Sequence, residues 1–231
     1  MGADTTAARH TVRSFDEELN HLTGQITYMG GLAEGLVADA LEALVKRDVE
    51  LAATVLQRDA QLDALEEQID QDVIRILATR QPMAVDLRVI TMALKISNDL
   101  ERTGDYGVSI AKRVARLAEQ PELKPLVTIP NMANLCIAML KDVLDAYVER
   151  DAAKAMAVWE RDQEVDQLYT GLFRELITYM LEDPRKISIC IDLLFIAKNL
   201  ERIGDHATNI AEKINYMIHG EQINRPRHDA T

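Results

Sequence analysis

The 231-residue chain is written twice. Ile96–Ala111, reading ISNDLERTGDYGVSIA, aligns at an offset of 100 with Ile196–Ala211, reading IAKNLERIGDHATNIA, and 8 of the 16 positions are identical. Toward the N-terminus the offset becomes 103. Val45–Leu65 then fall on Val148–Leu168 with 9 of 21 identical, among them Asp48/Asp151, Arg58/Arg161, Asp59/Asp162 and Asp63/Asp166. Self-similarity of this kind means one supersecondary unit repeated, so the two halves must share a fold. The change of three in the offset can be absorbed by the loops around Pro82 and Pro184.

Each half breaks into three helical runs. Asp48 and Asp151 follow apolar runs and suit helix N-caps. Gln81-Pro82 and Asp183-Pro184 interrupt the next runs, with proline placed for a first helical turn. Only EQPELKPLVTIP, with Pro121, Pro125 and Pro130, reads as a linker. Six helices are predicted, near 12–46, 48–79, 83–119, 127–149, 151–182 and 185–219, and several approach 30 residues, or about 45 Å. The third helix of each half carries apolar residues at i, i+3, i+4, i+7 spacing. In the first copy these are Ala93, Ile96, Leu100, Thr103, Gly107, Ile110, Val114 and Leu117; in the second, Leu193, Ile196, Leu200, Ile203, Ala207, Ile210, Ile214 and Met217. Amphipathic helices joined by short turns make an up-down-up bundle. The expectation is an all-α chain of two tandem three-helix bundles related by an internal pseudo-twofold, over 1–120 and 121–220, with a flexible tail over 221–231.

The acidic residues have an unusual arrangement. With Leu100 at the centre of the buried stripe, Glu101 lies about 100° round the helix, Asp105 about 140° and Asn98 about 160°. On the second helix, measured from Leu62, Asp59 lies at about 60° and Asp63 at about 100°. Glu66 and Asp70 lie close to the same line. Both helices thus carry an acidic row beside the apolar face, and Asp162/Asp166 with Glu201/Asp205 repeat it. Like charges four apart repel, by a few tenths of a kcal/mol when exposed and more when buried. A solvated charged face is the ordinary explanation of one such pair. Recurrence in both copies, where much else has drifted, favours carboxylates converging on a hard cation: Mg²⁺, Mn²⁺ or iron, in one or several nuclei, rather than zinc. Arg102 and Arg202 follow the glutamates, and with Asn98 and His206 they are candidates to steady the ligands or to hold phosphate beside a metal. Asp39 and Asp142 could lend a ligand from the first helix.

Composition narrows the function. A net charge of -12 argues against nucleic acid and against docking on an anionic membrane face. No apolar run approaches the roughly 20 residues of a spanning helix, and the first residues lack a signal-peptide core, so a cytoplasmic chain is expected. Cys136 and Cys190 sit in apolar helical runs and read as reduced core thiols. No activated nucleophile or acid–base pair stands out, so no catalytic residue is assigned.

The doubled Glu-Arg-x-Gly-Asp, the doubled Arg-Asp-x-x-x-Asp and the connecting QPMAVDLR (Gln81–Arg88) together resemble the PhoU family, over about residues 12–219. The resemblance implies two three-helix bundles and metal clusters bound by E(D)-x-x-x-D motifs. By position these motifs are Asp59, Asp63, Glu101 and Asp105, then Asp162, Asp166, Glu201 and Asp205. It also implies a non-enzymatic negative regulator of phosphate uptake and of the phosphate-starvation regulon. Such a protein acts between the ATPase subunit of a phosphate ABC transporter and a sensor histidine kinase, reaches the inner membrane only through partners, and is expected as a homodimer. The second copy lies closer to the family pattern; the first departs with Thr103, Tyr106, Gly107 and Val108. A metal-dependent phosphohydrolase on the same carboxylates, and a metal-free helical scaffold, are the alternative readings.

Overall fold

Helix capping decides where the chain turns. Arg47 adopts a left-handed φ of 56°, and the backbone N–H of Asp48 closes the first helix by donating to the Ala43 carbonyl at 2.9 Å. The Asp48 side chain then opens the next helix, accepting from the N–H groups of Glu50 and Leu51 at 3.0 and 2.9 Å. The second copy repeats the corner: Arg150 has φ 53°, Asp151 N–H donates to Ala146 at 3.0 Å, and the Asp151 carboxylate accepts from Ala153 and Lys154. A two-residue Arg-Asp corner thus folds each first helix directly back along the second.

The structure, a computed structural model, describes residues 3–121 and 127–223, with side chains from Ser14 onward. Its helices are α1 (Ala3–Lys46), α2 (Val49–Arg80), α3 (Ala84–Ala118), α4 (Thr128–Glu149), α5 (Ala152–Glu182) and α6 (Ile187–His219). A 3-10 turn, Pro184–Lys186, precedes α6, and there is no strand among the described residues. α1 begins nine residues ahead of the expected start at 12, since no glycine or proline between Ala3 and Thr11 interrupts it. Three residues separate α2 from α3, but only Asp183 separates α5 from the 3-10 turn, so the length difference between the copies does fall at these prolines. The linker segment 122–126 and most of the expected tail, 224–231, lie outside the described residues.

α1, α2 and α3 pack against one another, as do α4, α5 and α6, which makes two three-helix bundles in tandem. Every residue of the two apolar stripes is buried. Cys136 and Cys190 are free and buried; Cys136 donates to the Leu200 carbonyl, and burial pushes its thiol up to about 12.

The bundles are joined chiefly by α3 against α6, with α1 against α4 beside them. α3 and α6 are therefore buried on two sides, and the second side is polar: Ser97, Asp99, Asp192, Asn199 and Thr208 are all buried. Asp99 on α3 reaches His206 Nδ1 at 2.9 Å and Lys213 Nζ at 2.5 Å on α6. Farther along α3, Arg116 pairs with Asp192, and the Arg113 guanidinium lies 4.7 Å from the centroid of Phe195. The contacts descend α6 as they climb α3, so the two helices run antiparallel across the pseudo-twofold.

Candidate carboxylate site

The glycine of each Glu-Arg-x-Gly-Asp motif sets how closely two helices approach. A Cβ on Gly104 would stand 2.2 Å from Cδ2 of Leu62, which is fully buried. On Gly204 it would stand 3.3 Å from Asp162 Oδ1 and from Val165 Cγ1. The bare backbone lets α3 settle onto α2 where Leu62 projects, and Asp59 and Asp63 flank Leu62 as Glu101 and Asp105 flank Gly104. In the second bundle the Asp162 carboxylate lies against Gly204 itself. Gly104→Val is expected to force the helices apart and to cost about 2–3 kcal/mol, the scale of an overpacked core. Urea unfolding measures this; a loss below about 0.5 kcal/mol would show that Leu62 yields freely.

Helix packing then places the acids within reach of each other's charge. Glu101 is raised to about 7, first by burial and then by the charges of Asp105 and Glu66, against the opposing Arg102. Burial likewise raises Asp59, with Asp63 and Asp105 adding to it. In the second bundle burial raises Glu201 most, with Asp205 and Asp166 adding to it and the Lys198 ammonium opposing. Oε2 of Glu101 and Oε2 of Glu201 are buried without a hydrogen-bond partner. Among the described residues no three His, Cys, Asp or Glu side chains are already drawn into an ion cage. All of the donors are carboxylate oxygens, and two of those oxygens are buried and unsatisfied, which suits a hard cation.

The remaining candidates divide between two places. Arg102 stays with the acids, its Nη1 donating to Asp105 Oδ2 at 3.1 Å and its Nε 3.5 Å from Glu101 Oε2. Asn98 also stays, donating to Glu66 Oε1 at 3.3 Å across to α2. Arg202 and His206 turn instead to the seam between bundles. The Arg202 guanidinium lies 5.7 Å from the Tyr106 ring centroid, and the His206 ring 5.6 Å from the same ring. Asp39 and Asp142 are engaged by arginines of the following helix: Asp39 accepts from Arg58, and Asp142 from Arg161 at 2.6 Å. The doubled arginine of Arg-Asp-x-x-x-Asp thus ties first helix to second. Trp159 packs against the core with its Nε1 donating to Glu212 Oε1 at 3.1 Å. Asp99 lies outside the acidic rows that the sequence marks. Its signal there is the polar pair Asp99/Asn199, which precedes the central leucine of both stripes.

Comparison with known proteins agrees with this geometry. The PhoU domain model matches twice, over residues 26–114 and 129–214. A phosphate-specific transport system accessory protein PhoU homolog from Caulobacter vibrioides is 52% identical over 219 residues, covering 94% of this chain and 95% of the relative. One of the same description from Rhizobium meliloti is 51% identical over 225 residues, covering 96% and 95%. The crystal structure of PhoU from Pseudomonas aeruginosa superposes with a TM-score of 0.87 at 41% identity, covering 90% of this chain and all of that one. The phosphate transport system regulatory protein PhoU from Streptococcus pneumoniae gives 0.85 at 31% identity, covering 91% of this chain and all of that one. The repeated motif, the paired three-helix bundles and the two matches of the family model agree: the chain belongs to the PhoU family.

Proposed function

We propose that this chain regulates phosphate transport as a non-enzymatic adaptor, restraining uptake and the phosphate-starvation genes when phosphate is abundant. The observation that carries this reading is similarity along more than nine-tenths of the chain to proteins named as accessory to phosphate-specific transport. Its partners in this role are the ATPase subunit of a phosphate ABC transporter and a sensor histidine kinase, met by a homodimer in the cytoplasm. No helix among the described residues is long and apolar enough to cross a membrane, in keeping with reaching the membrane through partners. Deleting the gene is expected to raise expression of phosphate-starvation genes in high phosphate; unchanged expression would overturn the regulatory reading.

The same proposal includes oxygen-ligated cations, Mg²⁺, Mn²⁺ or iron. Asp59, Asp63, Glu101 and Asp105 would hold them in the first bundle; Asp162, Asp166, Glu201 and Asp205 would hold them in the second. A bound cation supplies positive charge that offsets the repulsion within each cluster. Gly104 against Leu62, and Gly204 against Val165, set how closely α3 lies on α2 and α6 on α5 beneath these acids.

A further inference from the structure

The two carboxylate clusters differ in what neutralises them. Asn98 of the first copy corresponds to Lys198 of the second, Glu66 to Tyr169, and Asp70 to Phe173. In the first bundle Asn98 supplies an uncharged amide to Glu66. In the second, Lys198 Nζ lies 2.6 Å from Glu201 Oε1, directly on the glutamate of the repeated motif. The same ammonium stands 5.3 Å from the Tyr169 ring centroid, a cation–π distance, and Phe173 packs on Tyr169 with centroids 6.4 Å apart. Lys198 is therefore seated between an acid and an aromatic face that replaces an acid.

We infer, resting on the cation reading above, that Lys198 acts as a tethered cation at Glu201, so that multivalent cations load the first bundle ahead of the second. Five carboxylates act on one another in the first cluster: Asp59, Asp63, Glu66, Glu101 and Asp105. In the second, Asp205 and Asp166 act on Glu201, Asp162 lies against Gly204, and Tyr169 stands where the first has Glu66. The first cluster has basic neighbours as well, but they hold it less closely. Arg102 hydrogen-bonds Asp105 and makes no hydrogen bond to Glu101, and Lys112 is exposed and acts on Asp59 only at range. A cation that takes both oxygens of Glu201 must displace the Lys198 ammonium from Oε1, and one that takes the unpartnered Oε2 alone meets the repulsion of that ammonium at close range. A hydrogen bond between charged groups has a value that makes this worth about tenfold in affinity.

The test uses the full chain in phosphate-free buffer, titrated with Mn²⁺ by calorimetry, with bound metal counted after equilibrium dialysis. The unmodified chain is expected to show two classes of site about tenfold apart. Glu101→Gln should abolish the tighter class and Glu201→Gln the weaker. Lys198→Asn should strengthen the weaker class about tenfold, and Asn98→Lys should weaken the tighter one by a similar factor, each with helicity unchanged by circular dichroism. A single class of equal affinity in the unmodified chain, or no change on Lys198→Asn, overturns the inference and leaves the cation reading standing. No bound Mn²⁺ in any of these proteins overturns both.

Discussion

Replacing Asp99 with alanine is expected to destabilise the chain by about 3 kcal/mol, chiefly by uncoupling the two bundles. Asp99 is 6% exposed and accepts from both His206 and Lys213 of the opposing helix. Removing one partner of a buried ion pair costs about 3–5 kcal/mol because the remaining charge is stranded. Here the lower end applies: the Lys213 side chain is 22% exposed, so its ammonium can partly recover water. Asp99→Asn should cost less, about 1–2 kcal/mol, since an amide can still bond to the His206 ring. Asn199 at the equivalent position shows that the packing accepts that shape. Urea unfolding followed by circular dichroism reports on both bundles, and fluorescence of the lone Trp159, on α5, reports on the second alone. Less than about 0.5 kcal/mol for Asp99→Ala would mean that apolar packing, and not this network, joins α3 to α6.

Glu101→Gln is expected to act in opposite directions with and without cations. In the cation-free chain the folded state raises Glu101 from 4.5 to about 7, so it binds that proton more tightly than the unfolded state does. The contribution of Glu101 to stability is then most favourable below pH 4.5, falls as pH rises through 7, and levels off above. Glutamine removes the repulsion. The gain is absent below pH 4.5 and reaches about 1 kcal/mol above pH 7, solvent at the cluster rim screening much of the roughly 3 kcal/mol that the full shift represents. With Mn²⁺ at about a hundred times the dissociation constant of the first bundle, loading that bundle should add about 2.7 kcal/mol. That is a rise in Tm of about 5–10 °C, which Glu101→Gln should largely lose. Retention of the full rise by the variant would remove Glu101 from the ligand set.

Much of this architecture was legible in the sequence because it is written locally. Stripe spacing decides which face of a helix is apolar, and both stripes are buried throughout. Asp48 and Asp151 read as N-caps because a short acceptor before a helical run has few other uses, and both cap. The action of Asp105 on Asp59 across the two helices also follows, since each acid flanks a residue of the same helix–helix contact. The roles of Arg202 and His206 did not follow. In register with Arg102 and Tyr106, they belong by sequence to the acidic motif, yet their side chains meet Tyr106 and Asp99 of the other bundle.

The sequence by itself determined six helices, the Asp48 and Asp151 caps, the apolar stripe of each bundle's third helix and the doubling of the acidic motif, because each depends on residues within a few positions of one another. Only the tertiary structure decided which second face of α3 and α6 is buried. A periodic pattern marks one apolar stripe, whereas Asp99 and Asp192 enter the interior through charge and hydrogen-bond partners more than seventy residues away on the opposing helix. It also separated two clusters built on the same repeated acids: in the first the Arg102 guanidinium hydrogen-bonds Asp105, in the second the Lys198 ammonium bonds the half-buried Glu201 directly.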